Sequence, residues 1–209
     1  MRTQRPTPLL PSLALLAIAL CMAVAGCGGG GGGTAEAAKP SFAGTEVQPP
    51  TEAPPLRLKD SLGKAVDISD YRGEAVLVTF IYTHCPDVCP LIVSHLKTVQ
   101  AELGPKAKGM QVLAVSTDPR GDNPRSVAAF LKAHGMTGKM EYLIGDRAEL
   151  GRAWKAWNIV ARPDKANREL VEHSALIYGI GADGKVRTLY PANFQPSVVA
   201  HDVPLLERR

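Results

Sequence analysis

The chain has 209 residues, a formal net charge of +4 and 21% charged residues. Arg2 and Arg5 are the only charges in the first 26 residues, so without that stretch the net charge is +2. No long Lys/Arg block occurs, which excludes the electrostatic footprint of a nucleic-acid-binding protein.

Arg2 and Arg5 precede an apolar run from Leu9 to Ala25, broken only by Pro11 and Ser12. That is the length of a signal-peptide core and short of the roughly 20 apolar residues of a membrane-spanning helix. Val24-Ala25-Gly26-Cys27 reads as a lipoprotein processing site. An unbroken glycine run, Gly28 to Gly33, follows, and glycine leaves the backbone its full freedom. The N-terminus thus resembles that of a bacterial lipoprotein. The resemblance implies a signal peptide over residues 1–26, lipid on Cys27 and an extracytoplasmic, membrane-anchored domain. Residues 27–55 read as an anchored linker, rich in Gly, Pro, Ala, Glu and Thr with few large apolar residues. Residues 56–209 are long enough for one domain with its own core.

Within that domain, Leu56-Arg57-Leu58 and Ala65 to Ile68 flank the turn Ser61-Leu62-Gly63-Lys64, a predicted hairpin. Ala75 to Tyr82 (AVLVTFIY) is β-branched and aromatic, as a buried strand requires. From Leu91 to Leu103 the apolar residues fall on one helical stripe, and Gly104-Pro105 stops it. Met110 to Val115 is a second buried strand. Asn123 caps a helix that begins at Pro124 and runs to about His134. Glu141 to Ile144 is a short strand, and Asp146 caps a helix reaching about Trp157. Ser174 to Ile180 is a strand, joined through Ala182-Asp183-Gly184-Lys185 to Val186–Tyr190. A last helix covers Gln195 to Leu206. Strand–helix–strand followed by helix–hairpin–helix implies an α/β fold, a mixed sheet flanked by helices.

The chemistry concentrates in Thr83-His84-Cys85-Pro86-Asp87-Val88-Cys89-Pro90. The sequence has four cysteines; Cys21 lies in the signal segment and Cys27 at the processing site, which leaves Cys85 and Cys89. Two thiols this close form a disulfide, shuttle electrons or hold a soft metal. A Pro86 helix start would bury Pro90 in the helix interior, where its ring clashes with the carbonyl four residues back. The expectation is therefore Cys89 as N-cap, Pro90 as first helical residue and Cys85 to Val88 as a loop. Both thiols then sit at the positive end of a helix, which favours thiolate. Because strand ends in open α/β sheets collect ligands, this junction is the candidate site.

A strand that ends in Tyr82-Thr83-His84-Cys85-Pro86-Asp87-Val88-Cys89-Pro90 and enters a helix resembles the CxxxCP signature of the SCO/SenC family. Ser116-Thr117-Asp118-Pro119-Arg120-Gly121-Asp122-Asn123-Pro124 and Glu172-His173-Ser174-Ala175 match the family's later patterns, with Glu172 where an Asp is usual. The resemblance covers about Leu56 to Leu206. It implies a thioredoxin-like fold with an N-terminal β-hairpin extension and a membrane-tethered copper chaperone for the binuclear copper site of cytochrome c oxidase. In that reading Cys85, Cys89 and His173 hold a copper ion: two soft sulfurs suit Cu(I), and an imidazole also accommodates Cu(II). Partners would be the oxidase subunit that carries the copper site, with a second copper chaperone or a thioredoxin-like reductant.

A thiol-disulfide oxidoreductase that reduces the cysteines of that site, with Cys85 and Cys89 as its redox pair, is the alternative. A peroxiredoxin-like peroxidase fits less well, because Tyr82 stands where such enzymes carry a Thr three residues before the reactive cysteine. Asp118 is a candidate for a role behind the ligands, and Asp122 for buttressing the helix at Pro124. His84 is expected to point away from the site. His95 is read as a satisfied core histidine, and no metal is expected at His95, His134 or His201.

Overall fold

The structure, a computed structural model, describes residues 41–163, 171–173 and 175–209. Its centre is an eight-stranded mixed sheet in the order β1-β10-β9-β4-β5-β6-β2-β3. The strands are β1 (Thr45–Glu52), β2 (Arg57–Asp60), β3 (Ala65–Asp67), β4 (Ala75–Ile81), β5 (Met110–Ser116), β6 (Glu141–Ile144), β9 (Leu176–Ile180) and β10 (Lys185–Pro191). A separate pair, β7 (Ala161–Pro163) and β8 (Val171–His173), runs antiparallel beside it. Among the described residues four α-helices flank the sheet: α1 (Val88–Leu103), α2 (Pro124–His134), α3 (Arg147–Ala156) and α4 (Pro196–Leu206).

β4, β5 and β6 are parallel, and β9 is antiparallel to β4. Alternate residues of β4 serve two cores. Ala75, Leu77 and Ile81 pack with α1, α2 and α4, while Val76, Val78 and Phe80 pack with Leu150, Trp154 and Trp157 on the other face. Every residue of β4 is buried, which explains its continuous apolar run. The α2 start follows its sequence: the Asn123 side chain accepts from the N–H groups of Arg125 and Ser126, and Ser126 Oγ accepts from Asn123 N–H. Asp146 and Glu149 form the same reciprocal cap on α3. In the β2–β3 turn, Asp60 Oδ1 accepts from the N–H groups of Leu62 and Lys64, at 2.9 and 2.8 Å.

Two boundaries differ from what the sequence implies. The sheet begins before Leu56: Thr45–Glu52, read as linker, pairs along β10 as an edge strand, and Phe42 is buried in the core. Asp202, fully buried in α4, accepts from the N–H groups of Ala43 and Gly44 and ties this segment down. The first helix begins at Val88, with Asp87 rather than Cys89 as its N-cap. Pro90 is then the third helical residue. It is tolerated there because the first turn's N–H groups have no partner within the helix and the carbonyl four residues back lies outside it. As expected, α3 runs to Ala156, with Trp157 as its C-cap.

Candidate metal centre

β4 brings Tyr82 and Thr83 to the carboxyl edge of the sheet; Cys85 lies in the following loop and Cys89 in the first turn of α1. Both sulfurs are free thiols. Cys89 is fully buried and Cys85 half-buried. The Cys89 N–H donates to Cys85 Sγ at 3.4 Å, one of the helix-start amides that α1 leaves unpaired. The Cys85 thiol is pulled down to about 5, most strongly by the hydrogen bond from the Cys89 thiol. The Asp87 and Cys89 N–H groups and the Tyr82 hydroxyl add to this, against the opposing effect of burial. Cys89 moves the other way: its bond to Cys85, burial and the neighbouring negative charge all push it up. One proton is thus held between the two sulfurs, with the anion on the more exposed one. The pair offers a soft, anionic and reachable donor beside a protonated one.

Tyr82 connects this pair to the small hairpin. Its hydroxyl donates to Cys85 and accepts from the Val171 N–H at 3.3 Å. Its own ionisation is pushed up to about 12, chiefly by burial and further by the charge on Cys85. Val171 and Ala175 pack against the core cluster that also receives Cys85 and Val88. His173 lies between them at the end of β8, its backbone opposite Ala161. The hairpin that carries His173 is therefore held at the cysteine edge. The His173 imidazole and Cys27 lie outside what the structure describes, and so does Ser174. Among the described residues no cluster of three His, Cys, Asp or Glu side chains forms a metal cage.

Beneath the loop lies a buried carboxylate whose role the sequence reading understated. Asp122 Oδ1 accepts from Thr83 N–H at 2.9 Å and from Thr83 Oγ1 at 2.7 Å. Its Oδ2 accepts from Ser116 Oγ at 2.7 Å and from Tyr142 OH at 2.8 Å. Burial pushes this carboxyl up, against the pull of its hydrogen bonds. Asp122 therefore joins the ends of β4 and β5 to the middle of β6, rather than only supporting α2. The signal in the sequence was its place in the Ser116–Pro124 pattern; that Tyr142 would meet it needed the sheet.

Asp118 is buried, but it shapes its own loop. Its Oδ1 accepts from Arg120 N–H at 3.1 Å and lies 3.9 Å from Arg120 Nε, and its own N–H donates to Ser116 Oγ. His84 is exposed, with Nδ1 3.0 Å from Thr83 Oγ1. His95 departs from expectation: its ring packs edge-on against Phe194 at 5.2 Å, which offers no acceptor, and Nδ1 is buried without a hydrogen bond. His134 packs on Phe130 in the last turn of α2, and His201 Nδ1 lies 2.8 Å from Asp202 Oδ1.

A family model described as SCO1/SenC matches residues 45–206. The chain belongs to the SCO1/SenC family. It is 25% identical over 148 residues to the SCO1 protein homolog of Bacillus subtilis, covering 68% of this chain and 76% of that one. It is 30% identical over 140 residues to the mitochondrial SCO2 homolog of Bos taurus, covering 64% of this chain and 51% of that one. The chain thus spans about half the length of its mitochondrial SCO relative. The structure of Bradyrhizobium japonicum ScoI with copper bound superposes with a TM-score of 0.65 at 29% identity, covering 75% of this chain and 99% of that one. The fold of this SCO1/SenC domain is accordingly thioredoxin-like, and the family match begins at Thr45, where the sheet itself begins.

Proposed function

We propose that this SCO1/SenC chain is a membrane-tethered copper chaperone that binds copper through Cys85, Cys89 and His173 and serves assembly of the binuclear copper site of cytochrome c oxidase. The observation that carries the reading is the free Cys85–Cys89 pair at the sheet edge, with Cys85 half-exposed and the Cys89 N–H donating to its sulfur at 3.4 Å. Thiolates are the donors that select Cu(I). Support comes from the copper held by the Bradyrhizobium ScoI, 29% identical, and from the family's link to cytochrome c oxidase assembly. The backbone position of His173 on a hairpin tied to Tyr82 supports its place as third ligand. Copper is the cargo; binding it costs Cys89 its proton, which goes to water, while Cys85 is already ionised.

Tethering rests on the sequence before the described residues. A signal segment over residues 1–26 would leave Cys27 as the lipid-bearing first residue and the domain outside the cytoplasm. No helix among the described residues is long and apolar enough to cross a membrane. A single acyl chain holds weakly, whereas two chains on one cysteine anchor stably.

A second reading is favoured by the asymmetry of the thiols. An ionised, reachable Cys85 attacks a partner disulfide; Cys89 then attacks the mixed disulfide, releasing two partner thiols and leaving a Cys85–Cys89 bond. Two electrons and the Cys89 proton pass to the partner, the second proton coming from water, so this is a reductase. Both readings are tested on one preparation. Copper-loaded protein is mixed with the apo copper domain of an oxidase subunit, and the apo dithiol with its oxidised form. Copper transfer without disulfide reduction supports the chaperone; reduction without transfer overturns it.

A further inference from the structure

His84 immediately precedes Cys85; its ring is exposed, and its Nδ1 meets the hydroxyl of the neighbouring Thr83. The direction of that contact follows from the proton count. Asp122 takes four hydrogen bonds on its two oxygens, from Thr83 N–H, Thr83 Oγ1, Ser116 Oγ and Tyr142 OH. Burial pushes the carboxyl up, but these four donors favour its ionised form, and in that form a carboxylate so placed only accepts. The single proton of the Thr83 hydroxyl therefore points to Asp122, at 2.7 Å. Its oxygen can then only accept from His84, so Nδ1 carries the hydrogen across the 3.0 Å contact. The neutral ring is left with its lone pair on Nε2, the reverse of the tautomer that a free histidine side chain favours.

Space for this arrangement comes from Gly121. A Cβ at that position would lie 3.0 Å from His84 Nδ1 and 2.3 Å from Asp118 Oδ2, so only glycine lets the ring rest against the loop before α2. Metal-ligating histidines characteristically donate their second ring N–H to a carboxylate or other fixed acceptor, which sets the tautomer and raises ligand basicity. Here a buried carboxylate does so through one threonine. The dithiol is less open than His84, since Cys89 is fully buried and Cys85 half-buried, while His84 is exposed. An incoming ion that exchanges ligands stepwise meets an exposed donor first.

We propose that His84 Nε2 is a further metal ligand of this chain, an outer acquisition ligand that receives Cu(I) on the exposed side of the loop before the cysteines take it. The proposal rests on the copper reading above. The oxidation state does not change. Nε2 gives its lone pair without losing a proton; on transfer the copper–nitrogen bond breaks, copper–sulfur bonds form and Cys89 releases its proton to water.

Three measurements on the full reduced chain test this. Histidine nitrogen NMR of the apo protein should show His84 protonated on Nδ1 and bare on Nε2, and Thr83→Val, which removes the hydroxyl at constant shape, should abolish that preference. With Cys85→Ser/Cys89→Ser as background, Ag(I) as probe should shift the His84 Nε2 resonance, and Thr83→Val should weaken that binding about tenfold. In the wild-type dithiol, stopped-flow uptake of Cu(I) from a coloured chelator should slow about tenfold in His84→Ala. Protonation on Nε2, absence of the silver shift, or uptake by His84→Ala at the wild-type rate would each overturn the proposal. If wild type took up no copper, the copper reading would fail, while the tautomer and silver measurements would still decide whether His84 is a ligand.

Discussion

Removing the Cys89 thiol should shift the reactivity of Cys85 along the pH axis. An ordinary thiol ionises near 9.0, so about 1% of it is thiolate at pH 7. Cys85, drawn down to about 5, is about 99% thiolate at that pH. The thiolate is the nucleophile, so alkylation of Cys85 should rise through a midpoint near pH 5 and stay flat from pH 6 to 8. An ordinary thiol would gain about tenfold in rate per pH unit over that window. The largest cause of the depression is the hydrogen bond from Cys89. Cys89→Ala deletes that donor and should move the midpoint upward by more than a unit. Cys89→Ser keeps a donor and should move it less. The assay is iodoacetamide labelling of the reduced protein at a series of pH values, with the site read by mass spectrometry; Cys89 is fully buried and should label slowly. A wild-type midpoint above pH 8, or identical profiles for Cys89→Ala and wild type, would refute the shared-proton account.

Tyr82→Phe should destabilise the fold by about 1 kcal/mol and expose the Val171 amide to exchange, because its acceptor at 3.3 Å is gone; unchanged protection at Val171 would mean the hairpin is held otherwise. Asp122→Ala should cost about 3 kcal/mol in urea melts, since the Thr83 N–H loses its partner and cannot turn away as hydroxyls can. Asp122→Asn, which keeps one acceptor, should cost about 1 kcal/mol, and equal losses would argue against the hydrogen-bond hub. Cys27→Ser should leave the thiol chemistry intact while releasing the protein from membranes. An unmodified mature N-terminus at another residue would show that the processing site had been misread.

The parts legible in the sequence were those decided locally. β4 is a continuous apolar run because both of its faces are buried, and α2 and α3 begin at capping residues whose partners lie within three positions. β1 was missed because an edge strand with exposed side chains and two prolines has the composition of a linker; only β10 makes it a strand. The pair β7–β8 was missed because strands of three residues leave no periodicity to read. At the site, the spacing of Cys85 and Cys89 and their place at a helix start were visible. The opposed shifts of the two thiols were not, since they depend on which sulfur is buried. Nor was the Asp122 hub, because Thr83, Ser116 and Tyr142 meet only when three parallel strands align.

The most direct test of the central claim is copper stoichiometry of the reduced and the oxidised protein, with thiols counted in parallel by mass spectrometry. The reduced protein should bind one copper per chain, Cys85→Ala and Cys89→Ala should abolish tight binding, and His173→Ala should weaken it. Joining Cys85 to Cys89 should eliminate binding, because a disulfide offers no thiolate. Full-affinity binding by the oxidised protein, or by all three variants, would contradict the account.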